Sequence, residues 1–103
     1  MEIIINSVNF KTGVRLKRFV REKIGKLFNQ SDKIIRADVI LREVEKGNPK
    51  NKVCQIRLMI PGNDHFVRKC TAVYENSILQ AIEVLQKIIR RKKSKVITKR
   101  HSH

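Results

Sequence analysis

The chain has 103 residues and a formal net charge of +15, from 24 Lys and Arg against 9 Asp and Glu, which leaves room for one small domain and excludes a multidomain enzyme. With 41% hydrophobic residues, 4 Gly and 2 Pro it holds enough apolar material for one modest core, so it reads as folded. A charge excess of this size repels itself, and its ordinary compensation is a polyanion, either nucleic acid or an anionic membrane surface.

Ile3, Ile4 and Ile5 open a short β-branched strand. Thr12 or Gly13 then caps a helix whose apolar residues Leu16, Phe19, Val20, Ile24, Leu27 and Phe28 recur at spacings of three and four. From Ile34 the period becomes two: Ile35, Ala37, Val39 and Leu41 alternate with Arg36, Asp38, Ile40 and Arg42, as in a half-buried strand. A third strand sets Cys54, Ile56, Leu58 and Ile60 on one face and Val53, Gln55, Arg57 and Met59 on the other. Pro61-Gly62-Asn63-Asp64 has the residues of a tight turn and leads into a fourth strand, His65 to Tyr74. Two inward sets compete in that strand. Phe66, Cys70 and Ala72 are taken as inward, which brings Arg68 with them, against Val67, Thr71 and Val73. Ser77 reads as the N-cap of a last helix with the stripe Ile78, Ala81, Ile82, Leu85, Ile88 and Ile89. The order βαβββα predicts an α+β two-layer domain over residues 1–95, a four-stranded mixed sheet with two helices on one face, followed by a basic tail at 96–103.

The cations are unevenly placed. From Gln86 to His103 there are eight Lys and Arg and no acid: Lys87, Arg90, Arg91, Lys92, Lys93, Lys95, Lys99 and Arg100. Lys92 and Lys93 fall where the apolar stripe would continue, so the last turns are expected to project past the sheet as a basic prong. The plainer reading of such a run is a solvated helix end. The first helix carries Arg15, Arg18, Arg21 and Lys26 away from its apolar stripe, flanked by Lys11 and Lys17, with Glu22 as their one acidic neighbour. Solubilising faces ordinarily mix both signs, and this one is lopsided. Lys23 lies inside the apolar arc, where its stem can cover the core while its ammonium reaches the rim.

Chemistry that makes or breaks bonds has little to stand on. No H-E-x-x-H, P-loop, G-x-S-x-G or paired-cysteine motif occurs, and His65, His101 and His103 are scattered, so neither an enzyme nor a cofactor or metal is expected. Cys54 and Cys70 are read as two small core thiols, although counting back from the turn makes them candidate cross-strand neighbours. The N-terminus lacks a signal-peptide pattern and no apolar run approaches the roughly 20 residues of a membrane span, so a cytoplasmic protein with reduced thiols is expected. With no Trp and few free aromatics, recognition of RNA shape and backbone fits better than base-by-base reading.

The element order, the basic helices and the length together resemble the ribosome hibernation promoting factor family, also called ribosome-associated translation inhibitors and formerly sigma-54 modulation proteins. The resemblance covers nearly the whole chain. It is clearest at Leu16, Phe19-Val20, Lys23, Lys26-Leu27, Asp32, Ile34, Val39 and Leu41, and again at Ala81-Ile82-Glu83 with the basic end that follows. Ser7, Gly13 and Ser77-Ile78-Leu79 depart from the family's usual residues at those places.

The resemblance implies a monomer that binds the small ribosomal subunit and its 16S rRNA in the channel of messenger RNA and the A-site and P-site tRNAs. There it would compete with tRNA, mRNA and initiation factors and inhibit translation in stationary phase or stress. It implies rRNA contacts for Lys23, Lys26 and the basic end of the second helix, while Arg15, Arg18, Arg21, Lys87, Arg90, Arg91, Lys92, Lys93 and Lys95 are candidates from charge and position. Long forms of the family append a second domain, and the chain is expected to be a short form. Two other readings stand beside it: a generic double-stranded RNA or DNA module, and an interaction protein for a sigma factor or an acidic membrane.

Overall fold

The computed structural model describes residues 2–8 and 10–101, with side chains up to residue 91. Its elements are β1 (Glu2–Val8), α1 (Val14–Gln30), β2 (Arg36–Glu43), β3 (Lys52–Ile60), β4 (Asn63–Thr71) and α2 (Tyr74–His101), the expected βαβββα order. The sheet order is β1-β2-β3-β4, with β1 parallel to β2 and the other pairs antiparallel. A parallel pair needs a crossover, and α1 supplies it. β4 runs the same way as β1 and β2, and each helix turns back from its strand, so α1 and α2 lie side by side and point in the same direction.

One core fills the space between the layers. Val20, Ile24, Leu27 and Phe28 of α1 and Ile78, Ala81, Ile82, Leu85 and Ile89 of α2 are buried against Ala37, Val39, Leu41, Cys54, Ile56, Leu58 and Val67 of the sheet. Below α2, Ser77 is fully buried; its hydroxyl donates to the Lys52 carbonyl (2.6 Å) and accepts the Thr71 N–H (3.1 Å). Phe10 stacks on Tyr74 with ring centroids 4.8 Å apart, closing the end of the sandwich between the β1–α1 connection and the start of α2.

Four local expectations are overturned. The inward residue of β4 is Val67, 7% exposed, and Phe66 is turned out at 62%; Cys70, Ala72 and Arg68 are exposed as well. The turn decides this. Only Pro61 and Gly62 (φ +82°) separate Ile60 from its partner Asn63, so inward Ile56 pairs with Val67, and paired residues share a face. Accordingly Cys54 and Cys70 are not neighbours: Cys54 pairs with Lys69 and is buried, whereas Cys70 pairs with Val53 on the other face, exposed. In the third correction Ile35 is 56% exposed and Ile34 is buried, because the chain enters β2 only at Arg36. Finally α2 begins at Tyr74 and β4 ends at Thr71, so Ser77 lies within the helix and its hydroxyl ties the helix to the sheet instead of capping it. At the other helix the N-cap is Gly13, in extended backbone with no side-chain cap bond.

Candidate nucleic-acid interface

The helix layer is basic because its two helices carry fourteen Lys and Arg against three acids, Glu22, Glu75 and Glu83. Within the sheet, Arg36 meets Asp38 at 2.9 Å and Glu2 at 4.0 Å, Lys52 meets Glu43 at 3.0 Å, and Arg57 meets Asp64 at 2.6 Å. The Lys52 ammonium holds the Glu43 carboxyl below its ordinary pKa by hydrogen bond and charge. On the helices one pair is present among the described residues, Lys87 with Glu83 at 3.5 Å. Arg15, Arg18, Arg21, Lys26, Arg90 and Arg91 are exposed, and among the described residues none has an acidic partner.

On α1 the apolar stripe turned to the sheet forces Arg15, Arg18 and Lys26 to the opposite side. Lys17, Arg18, Arg21, Val14 and Glu22 line a shallow open depression at the start of the helix. There is no acid in that first turn, so its cations Arg15 and Lys17 stand against the positive end of the helix dipole. That arrangement costs stability in the free protein and favours an anion nearby. Lys23 is half-buried, its ammonium 5.5 Å from the centre of the Phe19 ring, a cation–π contact at the rim of the core.

On α2 the dipole works the other way. Glu75 lies in the first turn and the cations accumulate toward the C-terminal end, both favourable. Among the residues whose side chains are described the last buried one is Ile89, while the helix backbone continues to His101, roughly 18 Å further at 1.5 Å per residue. The chain is correspondingly elongated, 56 × 26 × 21 Å. Arg90 and Arg91 are exposed where the core ends. The side chains of Lys92, Lys93, Lys95, Lys99 and Arg100 lie outside the described residues.

Among the described residues no group of three or more His, Cys, Asp and Glu could hold a metal ion. Burial pushes the Cys54 thiol up to about 12. Among the described residues no helix is long and apolar enough to cross a membrane. Sequence reasoning located the helix cations and missed the open face of the sheet, where Arg42, Arg57, Phe66 and Arg68 lie, because it had turned Phe66 and Arg68 inward.

An α+β sandwich whose sheet acids are paired and whose helix layer carries a large excess of cations defines a class of small proteins suited to a polyanionic partner. The chain belongs to the sigma 54 modulation protein / S30EA ribosomal protein family, whose model matches residues 3–97, and the resemblance read from the sequence is thereby borne out. No curated protein sequence matches it. Its fold is that of a ribosomal subunit interface protein from Coxiella burnetii, with TM-score 0.80 at 15% identity over 91% of this chain and 99% of that one. The N-terminal domain of Thermus thermophilus Protein Y is also similar, with TM-score 0.75 at 23% identity over 88% of this chain and 98% of that one.

Proposed function

We propose that the protein is a non-enzymatic, cytoplasmic ribosome-binding factor that occupies the mRNA and tRNA channel of the small subunit and so inhibits translation in stationary phase or stress. Family membership supports a ribosomal partner. The observation that carries the mode of binding is the division of charge: sheet acids are paired, and Arg15, Arg18, Arg21, Lys26, Arg90 and Arg91 are left without acids on the helix layer.

The mechanism needs no covalent chemistry. Unpaired cations release counterions on meeting rRNA phosphates, which supplies affinity without reading sequence. The helices hold those cations on rigid backbone, so little order has to be gained on binding. A sandwich wedged between rRNA elements then excludes tRNA, mRNA and initiation factors by its volume. In this reading Lys23 reaches the rRNA from the rim, and Lys87, Lys92, Lys93 and Lys95 extend the contact along the prong, with the tail from residue 96 beyond them.

The test is sucrose-gradient co-sedimentation with purified ribosomes, with tRNA and mRNA as competitors. Binding to the small subunit that the competitors displace is the expected result. Equal binding to bare duplex RNA, or indifference to both competitors, would reduce the protein to a generic duplex-binding module.

A further inference from the structure

The sheet face turned away from the helices has no part in the function proposed above. Its layout follows from register. Ile4, Asp38, Arg57 and Phe66 form one cross-strand row, Asn6, Ile40, Gln55 and Arg68 the next, and Val8, Arg42, Val53 and Cys70 a third, in which Val53 is covered and Arg42 half-buried. Phe66 is 62% exposed, and among the described residues it is the one exposed aromatic. One exposed ring is ordinary on a protein surface, and what distinguishes Phe66 is the set of arginines on the same face.

The cations on these rows share one chemistry: Arg42, Arg57 and Arg68 are all arginine, and no lysine lies among them. Arg57, directly across from Phe66, is oriented by two hydrogen bonds to Asp64, at 3.0 and 2.6 Å. Arg68, two residues along the same face, and Arg42 have no acidic partner among the described residues; the Arg42 Nε is buried with no hydrogen-bond partner. A guanidinium is planar, stacks on π faces and forks onto phosphate oxygens, none of which an ammonium does as well. An exposed phenyl ring beside planar cations is the arrangement on which unpaired bases stack.

We propose that Phe66, with Arg57 and Arg68 beside it, is a stacking platform for an unpaired base, and that the open sheet face takes a short single-stranded polynucleotide whose phosphates run past Arg68 toward Arg42. Charge complementarity selects this occupant over a second copy of the chain, which would bring its own unpaired Arg42 and Arg68 against these. The site lies on the opposite side of the sheet from the helix cations, so it stands or falls independently of the ribosomal reading.

The experiment compares an octa-adenylate with an abasic strand of the same length, by fluorescence anisotropy, in RNA and DNA versions. Wild-type protein should bind the base-bearing strand about tenfold more tightly than the abasic one. Phe66→Ala and Phe66→Leu should both remove that preference while leaving affinity for the abasic strand unchanged, and Arg68→Gln should weaken both strands. A nuclear Overhauser contact between the Phe66 ring and adenine protons would place the base directly. If Phe66→Ala, shown folded by its thermal transition, keeps the full preference for bases, the platform does not exist. If it instead weakens ribosome binding with no change toward either strand, the face is a protein-docking surface and the proposal is overturned.

Discussion

Replacing Val67 and Phe66 in turn by alanine tests which face of β4 is inward, on which both the core and the sheet-face site depend. Val67 is 7% exposed and sits in the core opposite Ile56, so Val67→Ala removes two buried methyl groups. At about 0.8 kcal/mol per buried methylene the lost transfer energy is about 1.6 kcal/mol, and the cavity left behind brings the cost to roughly 2–3 kcal/mol. Phe66 is 62% exposed, so Phe66→Ala should cost at most about 1 kcal/mol, the span of strand propensity on an open face. For a domain of this size about 1 kcal/mol moves the melting temperature by roughly 4–8 °C. The expected calorimetric result is a fall of roughly 10–20 °C for Val67→Ala and of less than about 8 °C for Phe66→Ala. A larger loss from Phe66→Ala than from Val67→Ala would mean that the strand presents its other face to the helices, and would remove the proposed platform as well.

Three further outcomes are expected. If Arg15, Arg18, Arg21, Lys26, Arg90 and Arg91 each meet a phosphate, log affinity for rRNA should fall against log salt with a slope near −5, and Arg90→Gln with Arg91→Gln should reduce its magnitude by about two; an unchanged slope in filter binding would refute the prong. Ellman's reagent should modify one thiol of the native protein, that of exposed Cys70, and reach buried Cys54, raised to about 12, only after unfolding; rapid reaction of both would contradict the register. The Glu43 carboxyl titrates below its ordinary 4.5 when folded, so the Lys52 pair contributes its full stability above pH 4.5 and loses it as pH falls through the folded value. The difference in urea midpoint between wild type and Glu43→Gln should therefore shrink from pH 6 to pH 3, and a constant difference would show that the pair is not what Glu43 contributes.

Where burial is one-sided and the period strong, the sequence was readable. The stripe of α1 and the alternation of β2 and β3 each repeat over several residues with polar partners between, and Ala37, Val39, Leu41, Cys54, Ile56 and Leu58 are all buried as expected. β4 lacks that contrast, since apolar residues fall on both of its faces, and composition alone chose the wrong one. The parity of the turn was the available signal: any even-numbered loop after Ile60 pairs the inward even-numbered residues of β3 with odd-numbered residues of β4. Ser77 misled for a related reason, because a serine before an apolar stripe is the pattern of a cap, and only the neighbouring sheet gives its hydroxyl a different acceptor. The positions of the helix cations could be read directly from the chain. Which cations remain unpaired could not, because the pairs of Arg57 with Asp64 and of Lys52 with Glu43 join strands through their register.

The distribution of acids explains how a chain with a net charge of +15 folds and still binds. Placed at random, nine acids would reduce repulsion everywhere and leave no surface strongly attractive to a polyanion. Instead four of them, Glu2, Asp38, Glu43 and Asp64, are paired with cations on the sheet strands, where like charges directly opposite one another destabilise a ladder, and three, Glu22, Glu75 and Glu83, stand against fourteen Lys and Arg on the helices. The helix layer is left to repel itself, most of all at the start of α1, where the dipole adds to the cost. Salt and polyanion then act with opposite signs on the two processes. Screening relieves the repulsion within the free protein and raises its stability, whereas the same screening removes the counterion release that drives binding. A melting temperature that rises over the salt range in which RNA affinity collapses would show that the same uncompensated cations carry both effects, and a surface whose charges were mutually compensated would show neither trend.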